Sequence, residues 1–319
     1  MAPALSVIVI GYSMSEQLQR TLATLAADYQ RGVSADDYEV ILVENSSADN
    51  LAAEFVAQLP ANFHYFLREE PGQSPVPAIN FAFSESRGTF IGLIMDGARM
   101  MSPGCIRTAL DAFAITPQAL VAVPGYHLGE QEQHLHEDNA TALARERELL
   151  DSIDWRGDGY ELFTISTFSG ANRRGYLHPI MECNCIFACA ENFRRIGHAN
   201  PQFTQPGGGS INLHIYRSLG MLPNTRMFVL PGEGSFHQYH GGVTTSSYAD
   251  RQAEIERHRV QLHSLWPGGF HSLRRKPTLL GDVSLQAFPF LEESLRRSRN
   301  RLERRSKQKL AAWPDDPDE

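Results

Sequence analysis

The chain has 319 residues, of which 42% are hydrophobic, and a formal net charge of −8 at pH 7. A chain of this length buries a full core and corresponds to one large domain or two moderate ones. The negative charge argues against nucleic acid as the main partner, because binding a phosphate backbone needs a basic face. There is no basic N-terminal leader, and no apolar run approaches the roughly 18–20 residues of a membrane helix. We therefore expect a cytoplasmic protein with at most peripheral membrane contact.

The first hundred residues alternate between apolar runs and helical patterns, as a parallel sheet with crossover helices requires. Ser13 and Glu16 have the spacing of a capping box, which predicts the start of the first helix. The predicted strands are 5–10, 39–43, 63–67 and 90–95, and the predicted helices follow them, the second over 51–59 and the third over 78–86.

Polar residues follow the predicted strands, among them Tyr12, Glu44, the 68–74 loop and Asp96. Ligands of open α/β sheets bind beyond the carboxyl ends of the strands, so we expect these residues to converge on one crevice. The alternative for each residue alone is structural: Ser, Asn and Gly shape turns, and Asp96 caps the helix that follows.

The second half predicts further strands at 119–123, 185–190 and 227–230, with helices up to about 150, at 191–196 and at 210–219. Residues 151–178 lack periodicity, which predicts a long loop or lid over a site. Cys183 and Cys185 share one strand face and supply too few ligands for a metal site, so buried reduced thiols are expected.

The C-terminal part predicts two helices, at 248–266 and 291–310, and the second is rich in arginine. Its apolar stripe is thin, which favours a solvated face or a contact in a homo-oligomer over membrane binding. We expect one domain over 1–245 and a helical extension over 246–319.

Over residues 5 to about 245, and best over 5–100, the chain resembles the family 2 glycosyltransferases of GT-A fold. The motifs are Gly11-Tyr12-Ser13 after the first strand, Glu44-Asn45-Ser46 after the second, and Asp96-Gly97-Ala98 after the fourth. The resemblance implies a Rossmann-like α/β fold with a mainly parallel mixed sheet flanked by helices. It also implies a set of donor-binding residues: Gly11, Tyr12, Glu44, Ser46, Gln73, Asn80, Asp96 and Arg99.

The family's Asp-x-Asp metal motif keeps only its first carboxylate here, because Ala98 replaces the second. The resemblance assigns the remaining Mn²⁺ or Mg²⁺ ligand to a late histidine, either His240 or His237, of which His240 fits the family position better. In these enzymes the metal neutralises the departing diphosphate. Arg99 is an alternative source of positive charge, so a variant that works without metal is also considered.

The family's acidic base motif aligns with a segment that has Ser210 and Asn212 where acids are expected. An acceptor hydroxyl needs a base in the transition state, typically worth about 10²–10⁴-fold in rate. Glu182 is the first candidate for this catalytic role and Glu233 the second. Asp96 is the other residue assigned to the catalytic site.

The resemblance implies transfer of a sugar, with inversion, from a nucleotide-diphospho-sugar to a hydroxyl of a glycan, a lipid-linked or a small-molecule acceptor. The alternative is a catalytically silent GT-A module that binds a nucleotide sugar or glycan as a scaffold. A dehydrogenase is disfavoured because the first turn lacks G-x-G-x-x-G. A sugar nucleotidyltransferase is disfavoured because no lysine-containing, glycine-rich loop follows the first strand.

Overall fold

The computed structural model describes residues 2–70, 72, 74–132, 139–240, 248–266 and 273–309. An eight-stranded sheet forms its centre, and its strands are apolar because helices cover both of its faces. In chain order these strands are β1 (Leu5–Tyr12), β2 (Tyr38–Asn45), β3 (Phe63–Arg68), β4 (Phe90–Ile94), β6 (Ala119–Ala122), β9 (Cys185–Cys189), β10 (Arg226–Val229) and β12 (Thr278–Leu279).

The order of the strands across this sheet is β12-β10-β6-β9-β4-β1-β2-β3. Every pairing is parallel except those of β9, which runs antiparallel to both β4 and β6. The mainly parallel, mixed α/β sheet confirms the fold class expected from the sequence.

Helices form a layer on each face of the main sheet. One face carries α1 (Ser15–Leu25) and α4 (Cys105–Ile115), which bury leucine, isoleucine and phenylalanine side chains against it. The other carries α3 (Val76–Glu85), α6 (Ala190–Arg195) and α7 (Ile211–Met221). The remaining helices are α2 (Ala53–Val56), α5 (Asn139–Asp151), α8 (Tyr248–Leu265) and α9 (Phe288–Lys307).

A second sheet contains β5 (Arg99–Met101), β7 (Gly125–Leu128), β8 (Ser166–Phe168) and β11 (Ser235–His237), in the order β5-β11-β7-β8. The segment expected to be a loop or lid supplies β8 and two 3₁₀ turns, Gly159–Ile165 and Gly170–Asn172. Leu162, Phe163 and Tyr176 of this segment are fully buried. The lid prediction is therefore wrong for this part, because its apolar side chains complete a core beneath the second sheet.

The N-terminus of α1 is not capped by Ser13, contrary to the capping-box prediction. Ser13 has a left-handed backbone, with φ of 52°, and the helix begins two residues later. Asp49, from the turn after β2, accepts hydrogen bonds from the Ser15 amide at 3.2 Å and the Ser15 hydroxyl at 2.5 Å. A residue distant in sequence thus satisfies one of the free amide groups of the first turn.

The C-terminal residues pack on the rest of the chain. Leu262 and Trp266, at the end of α8, belong to the same apolar cluster as α3 and α7, and β12 pairs with β10 in the main sheet. The expected division at residue 245 lies outside the described residues and stays a prediction. None of the described helices is long and apolar enough to cross a bilayer.

Candidate active site

The strand register places the polar ends of the first four strands at one edge of the main sheet. Tyr12 pairs with Asn45, and Asn45 pairs with Arg68 on the far side. Ile94 at the end of β4 pairs with Val9, so Asp96, two residues later, lies level with Gly11. The expected convergence at the carboxyl ends of the strands is therefore present.

Asp96 meets two histidines from the segment at the end of β11. Its carboxylate lies 2.7 Å from His237 Nε2 and 3.7 Å from His240 Nε2, and the two imidazole nitrogens are 3.2 Å apart. The side chains are 22%, 10% and 13% exposed, respectively. More than 130 residues separate Asp96 from the histidines, and β5 and β11 bring them together by pairing Arg99 with His237.

Arg99 lies behind this cluster, with its Nε 3.6 Å from the Asp96 carboxylate. Burial opposes the charge on Asp96, but the two imidazoles and Arg99 outweigh it and hold the pKa of Asp96 well below its usual value. Burial, together with Arg99, lowers the pKa of His237 to about 4. At neutral pH the cluster therefore presents a carboxylate and a neutral His237 imidazole, the protonation states that ligate a metal ion.

The geometry of the cluster fits a divalent cation. One ligand atom from each of Asp96, His237 and His240 lies within 4.8 Å of the others. Ligands at right angles around a cation, with bonds of about 2.1 Å, lie about 3 Å apart, close to the spacings seen here. Both His237 and His240 reach the Asp96 carboxylate, and the preference for His240 as the direct ligand stays a prediction.

Ala98, at the position of the missing second carboxylate, is fully buried and belongs to the apolar cluster beneath α1. Its carbonyl accepts a hydrogen bond from the Gln238 amide at 2.8 Å, which fixes the histidine segment against the strand end. The second acid of the motif has no place here, and the imidazoles supply the other donors of the cluster.

Three of the expected donor-binding residues lie at the carboxyl ends of β1 and β2, where two are exposed and the third is a glycine. Tyr12 is 49% exposed, and Ser46 is exposed one residue after β2. Gly11 lies under α1, where a Cβ atom would meet Leu18 at 2.6 Å. Gln73 lies outside the described residues.

Two other expected donor contacts have their polar groups engaged within the fold. Glu44 is fully buried, and its carboxylate accepts hydrogen bonds from the Leu51 amide at 3.2 Å and the Tyr65 hydroxyl at 2.7 Å. The side-chain amide of Asn80 donates to the Ala199 carbonyl at 2.8 Å and accepts from the Ala199 amide at 3.0 Å. The structure gives both side chains structural roles, and their contact with a donor stays a prediction.

The two candidate bases differ sharply. Glu233 is buried and accepts hydrogen bonds from the Ser102 and Tyr160 hydroxyls at 2.5 and 2.9 Å, so it is closed to an acceptor and the prediction is wrong for it. Glu182 is exposed just before β9. The neighbouring Asn184 carbonyl accepts a hydrogen bond from the Met95 amide at 3.1 Å, which places this segment beside Asp96.

Asn212 is a site residue whose role the sequence did not indicate. Its amide donates to Glu182 Oε1 at 2.7 Å and to Asn184 Oδ1 at 2.8 Å. In the sequence, Asn212 stands only where an acid is expected. In the structure Asn212, on α7, orients the carboxylate of Glu182, which lies in the segment before β9.

A second unanticipated group supports the histidine segment. The buried carboxyl group of Glu146, on α5, accepts a hydrogen bond from the Tyr239 amide at 2.5 Å, and Gln17 on α1 donates to the Tyr239 carbonyl at 2.6 Å. Both contacts join helices to a segment far away in the sequence. The sequence around a Glu or Gln in a helix does not indicate that its side chain bonds to a distant segment.

The fold is similar to solved glycosyltransferase structures at low sequence identity. The Pyrobaculum calidifontis mannosyltransferase PcManGT, in complex with GDP-Man and Mn²⁺, gives a TM-score of 0.51 at 15% identity, over 96% of this chain and 76% of that one. S. aureus TarS 1-349 in complex with UDP-GlcNAc also gives 0.51 at 15% identity, over 94% of this chain and 73% of that one. This chain spans 40% of a longer S. aureus TarS chain, with a TM-score of 0.49.

No curated protein sequence matches the chain. A match to the family described as Glycosyl transferase family 2 covers residues 6–180, more than half of the chain. The matched segment contains the strands that carry Tyr12, Asn45 and Asp96 to one edge of the sheet. We conclude that the chain belongs to the family 2 glycosyltransferases and is a transferase enzyme.

Proposed function

We propose that this glycosyltransferase moves a sugar, with inversion, from a nucleotide-diphospho-sugar to an acceptor hydroxyl. The exposed ring of Tyr12 and the exposed hydroxyl of Ser46 are available to the nucleoside at the crevice edge. PcManGT is seen with GDP-Man and TarS 1-349 with UDP-GlcNAc, which supports a donor of this class.

The observation that carries the proposal is the meeting of Asp96, His237 and His240 at the edge where the strand ends converge. These side chains would hold Mn²⁺ or Mg²⁺, which when bound neutralises negative charge on a departing nucleoside diphosphate. Mn²⁺ is the better match to the two imidazole donors, since Mg²⁺ prefers oxygen ligands. PcManGT, a similar fold, is seen with Mn²⁺.

Glu182 is the base in this proposal. Its carboxylate is exposed beside the strand that precedes Asp96, and Asn212 and Asn184 orient it through their amides. The acceptor oxygen forms a bond to the anomeric carbon as the bond from that carbon to the diphosphate oxygen breaks. The acceptor proton passes to Glu182, and the nucleoside diphosphate leaves.

A thermal-shift series with UDP, GDP and their sugar conjugates tests donor binding, each measured with Mn²⁺ and with EDTA. Binding should raise the unfolding midpoint, through about 2.7 kcal/mol of stabilisation at a hundredfold excess over Kd. We expect one nucleotide class to stabilise the protein with Mn²⁺ and His240→Ala to abolish the shift. His263→Ala, which removes an exposed histidine from α8, is the matched control.

Release of nucleoside diphosphate from the same donor, in the absence of acceptor, separates an enzyme from a silent binding module. A competent site should hydrolyse the donor slowly, and His240→Ala should stop this release. Binding without any release would favour the silent module. No shift with any nucleotide would overturn the donor-dependent transfer.

A further inference from the structure

Helix α9 concentrates positive charge in a protein of net charge −8. Its 20 residues carry seven arginine or lysine side chains and three glutamates. Glu293 pairs with Arg296 and Arg297, and Glu303 pairs with Arg299. These pairs involve Arg296, Arg297 and Arg299, and three further arginines follow toward the end of the helix: Arg301, Arg304 and Arg305.

Helix α9 packs against a loop that carries two further arginines, Arg173 and Arg174. Ser294 and Ser298 are buried, and their hydroxyls bond to the Tyr176 amide at 2.7 Å and the Arg174 carbonyl at 3.2 Å. A Cβ atom on Gly175 would lie only 2.1 Å from Ser298 Oγ, so the helix touches the loop backbone. Arg301 follows Ser298 by three residues and therefore lies on the docked face.

Arg174 and Arg301 are each repelled by neighbouring guanidinium groups where the loop and the helix end meet. The five residues involved are here named the arginine cluster: Arg173, Arg174, Arg301, Arg304 and Arg305. Arg174, Arg301 and Arg305 are half-buried. Burial, together with Arg301, Arg173 and Arg305, lowers the pKa of Arg174 to about 10. Arg301 Nε is buried without a hydrogen-bond partner among the described residues.

Like charges repel one another in this grouping, and the buried Nε of Arg301 needs a hydrogen-bond acceptor. Phosphate oxygens match the arginine fork with paired, charge-assisted hydrogen bonds. The loop that carries Arg173 and Arg174 continues directly to Glu182. Glu182 lies eight positions after Arg174, a span of at most about 29 Å for an extended chain.

We propose that the arginine cluster binds a phosphate group carried by the acceptor. The assignment of this phosphate to the acceptor rests on the proposed function, since it places the reacting hydroxyl at Glu182. The acceptor is then an extended molecule whose phosphate lies some distance from the hydroxyl that receives the sugar. A soluble phosphate-containing chain and a lipid phosphate share this chemistry.

Binding measured without donor or metal tests the cluster directly. Calorimetric titration with tripolyphosphate probes a soluble phosphate chain, and co-sedimentation with phosphatidylcholine vesicles, with and without phosphatidylglycerol, probes a lipid phosphate. The test variant is Arg173→Gln/Arg304→Gln, since both side chains are exposed and their loss should leave the fold intact. Arg296→Gln/Arg299→Gln removes the same charge from exposed positions outside the cluster.

We expect the test variant to weaken binding of one probe by about tenfold or more, and the control by much less. The probe affected identifies the source of the phosphate. Equal weakening by both variants, or no binding of either probe, would overturn the proposal. The proposal would also be overturned if a probe bound only to the variant Asp315→Asn/Asp316→Asn/Asp318→Asn. The acidic C-terminal residues of the chain itself would then be the natural occupant of the arginine cluster. The nucleotide shift, measured on the same samples, separates these outcomes from failure of the proposed function.

Discussion

Position 98 shows how one residue changes the composition of the site. The family motif has a carboxylate there, and this chain has a buried alanine within an apolar cluster. Restoring the motif with Ala98→Asp should destabilise the protein by several kcal/mol, because an unpaired carboxylate would be buried. Urea denaturation measures this loss.

Ala98→Ser is a control for the added volume without the charge. If Ala98→Asp were as stable as the parent and bound Mn²⁺ more tightly, the side chain at position 98 would face the cation site. The description of Ala98 as part of the core would then be wrong.

Glu182 carries a separate prediction about catalysis. Glu182→Gln keeps the oxygen that accepts from Asn212 but cannot take a proton, so the transfer rate should fall by about 10²–10⁴-fold. The nucleotide-dependent thermal shift should persist, since Glu182 is not among the donor-binding residues. Glu191→Gln, an exposed glutamate paired with Arg194 on α6, should keep the full rate. A variant with unchanged kcat would remove Glu182 as the base.

Residues with strong local signals could be predicted from the sequence, and those that depend on distant contacts could not. Asp96 follows an apolar strand, and two histidines three residues apart stand out in a glycine-rich segment. By contrast, Glu44 and Asn80 match the family pattern in sequence while their polar groups bond to Leu51, Tyr65 and Ala199. Local sequence does not show whether a polar side chain is already hydrogen-bonded to another part of the fold.

Among the elements, α1 depends on a cap from outside its own sequence. Asp49 accepts from both the amide and the hydroxyl of Ser15. Asp49→Ala should therefore lower the free energy of unfolding by about 0.5–2 kcal/mol, the usual cost of losing an N-terminal cap. Urea denaturation measures this loss, and Asp36→Ala, at an exposed position of the loop before β2, should cost much less. Equal effects of the two variants would show that the Asp49 contact adds nothing.

Seven of the eight strands of the main sheet were predictable, because most of them are continuous apolar runs covered on both faces. The two-residue strand β12 was not predicted, since it is too short to give a pattern. The segment 151–178 was not, because its buried aromatic side chains are spaced irregularly among glycine and polar residues. Phe163 packs against Tyr126 and Phe236, which come from two strands of the second sheet. Its order depends on tertiary contacts, and such contacts leave no periodic pattern.

At the scale of the whole molecule, the site joins both sheets. Asp96 follows β4 of the main sheet, whereas the two histidines lie at the end of β11 in the second sheet. Helix α5 and the aromatic core pack against this second sheet. The hydrogen bond from Tyr239 to Glu146 links this support directly to the histidine segment. The stability of the whole fold and the position of the cation ligands are therefore connected through one buried carboxyl group.

Glu146 should make the free energy of unfolding depend on pH. Burial raises its pKa from 4.5 to about 8, although the Tyr239 amide and Arg20 oppose the shift. Below about pH 4.5 the group is protonated in both folded and unfolded states. Between 4.5 and 8 the unfolded chain releases this proton while the folded chain retains it. Stability should therefore fall as pH rises, by up to about 1.4 kcal/mol per pH unit.

Glu146→Gln removes this titration and keeps an oxygen for the Tyr239 amide. The variant should match the parent near pH 5 and become progressively more stable than it toward pH 8, as measured by Tm across that range. Glu148→Gln, an exposed position on the same helix, should follow the parent at every pH. A Tm difference between Glu146→Gln and the parent that stays constant from pH 5 to 8 would mean that Glu146 is ionised in the folded protein. Arg20, 3.6 Å away, would then act as its full counter-charge.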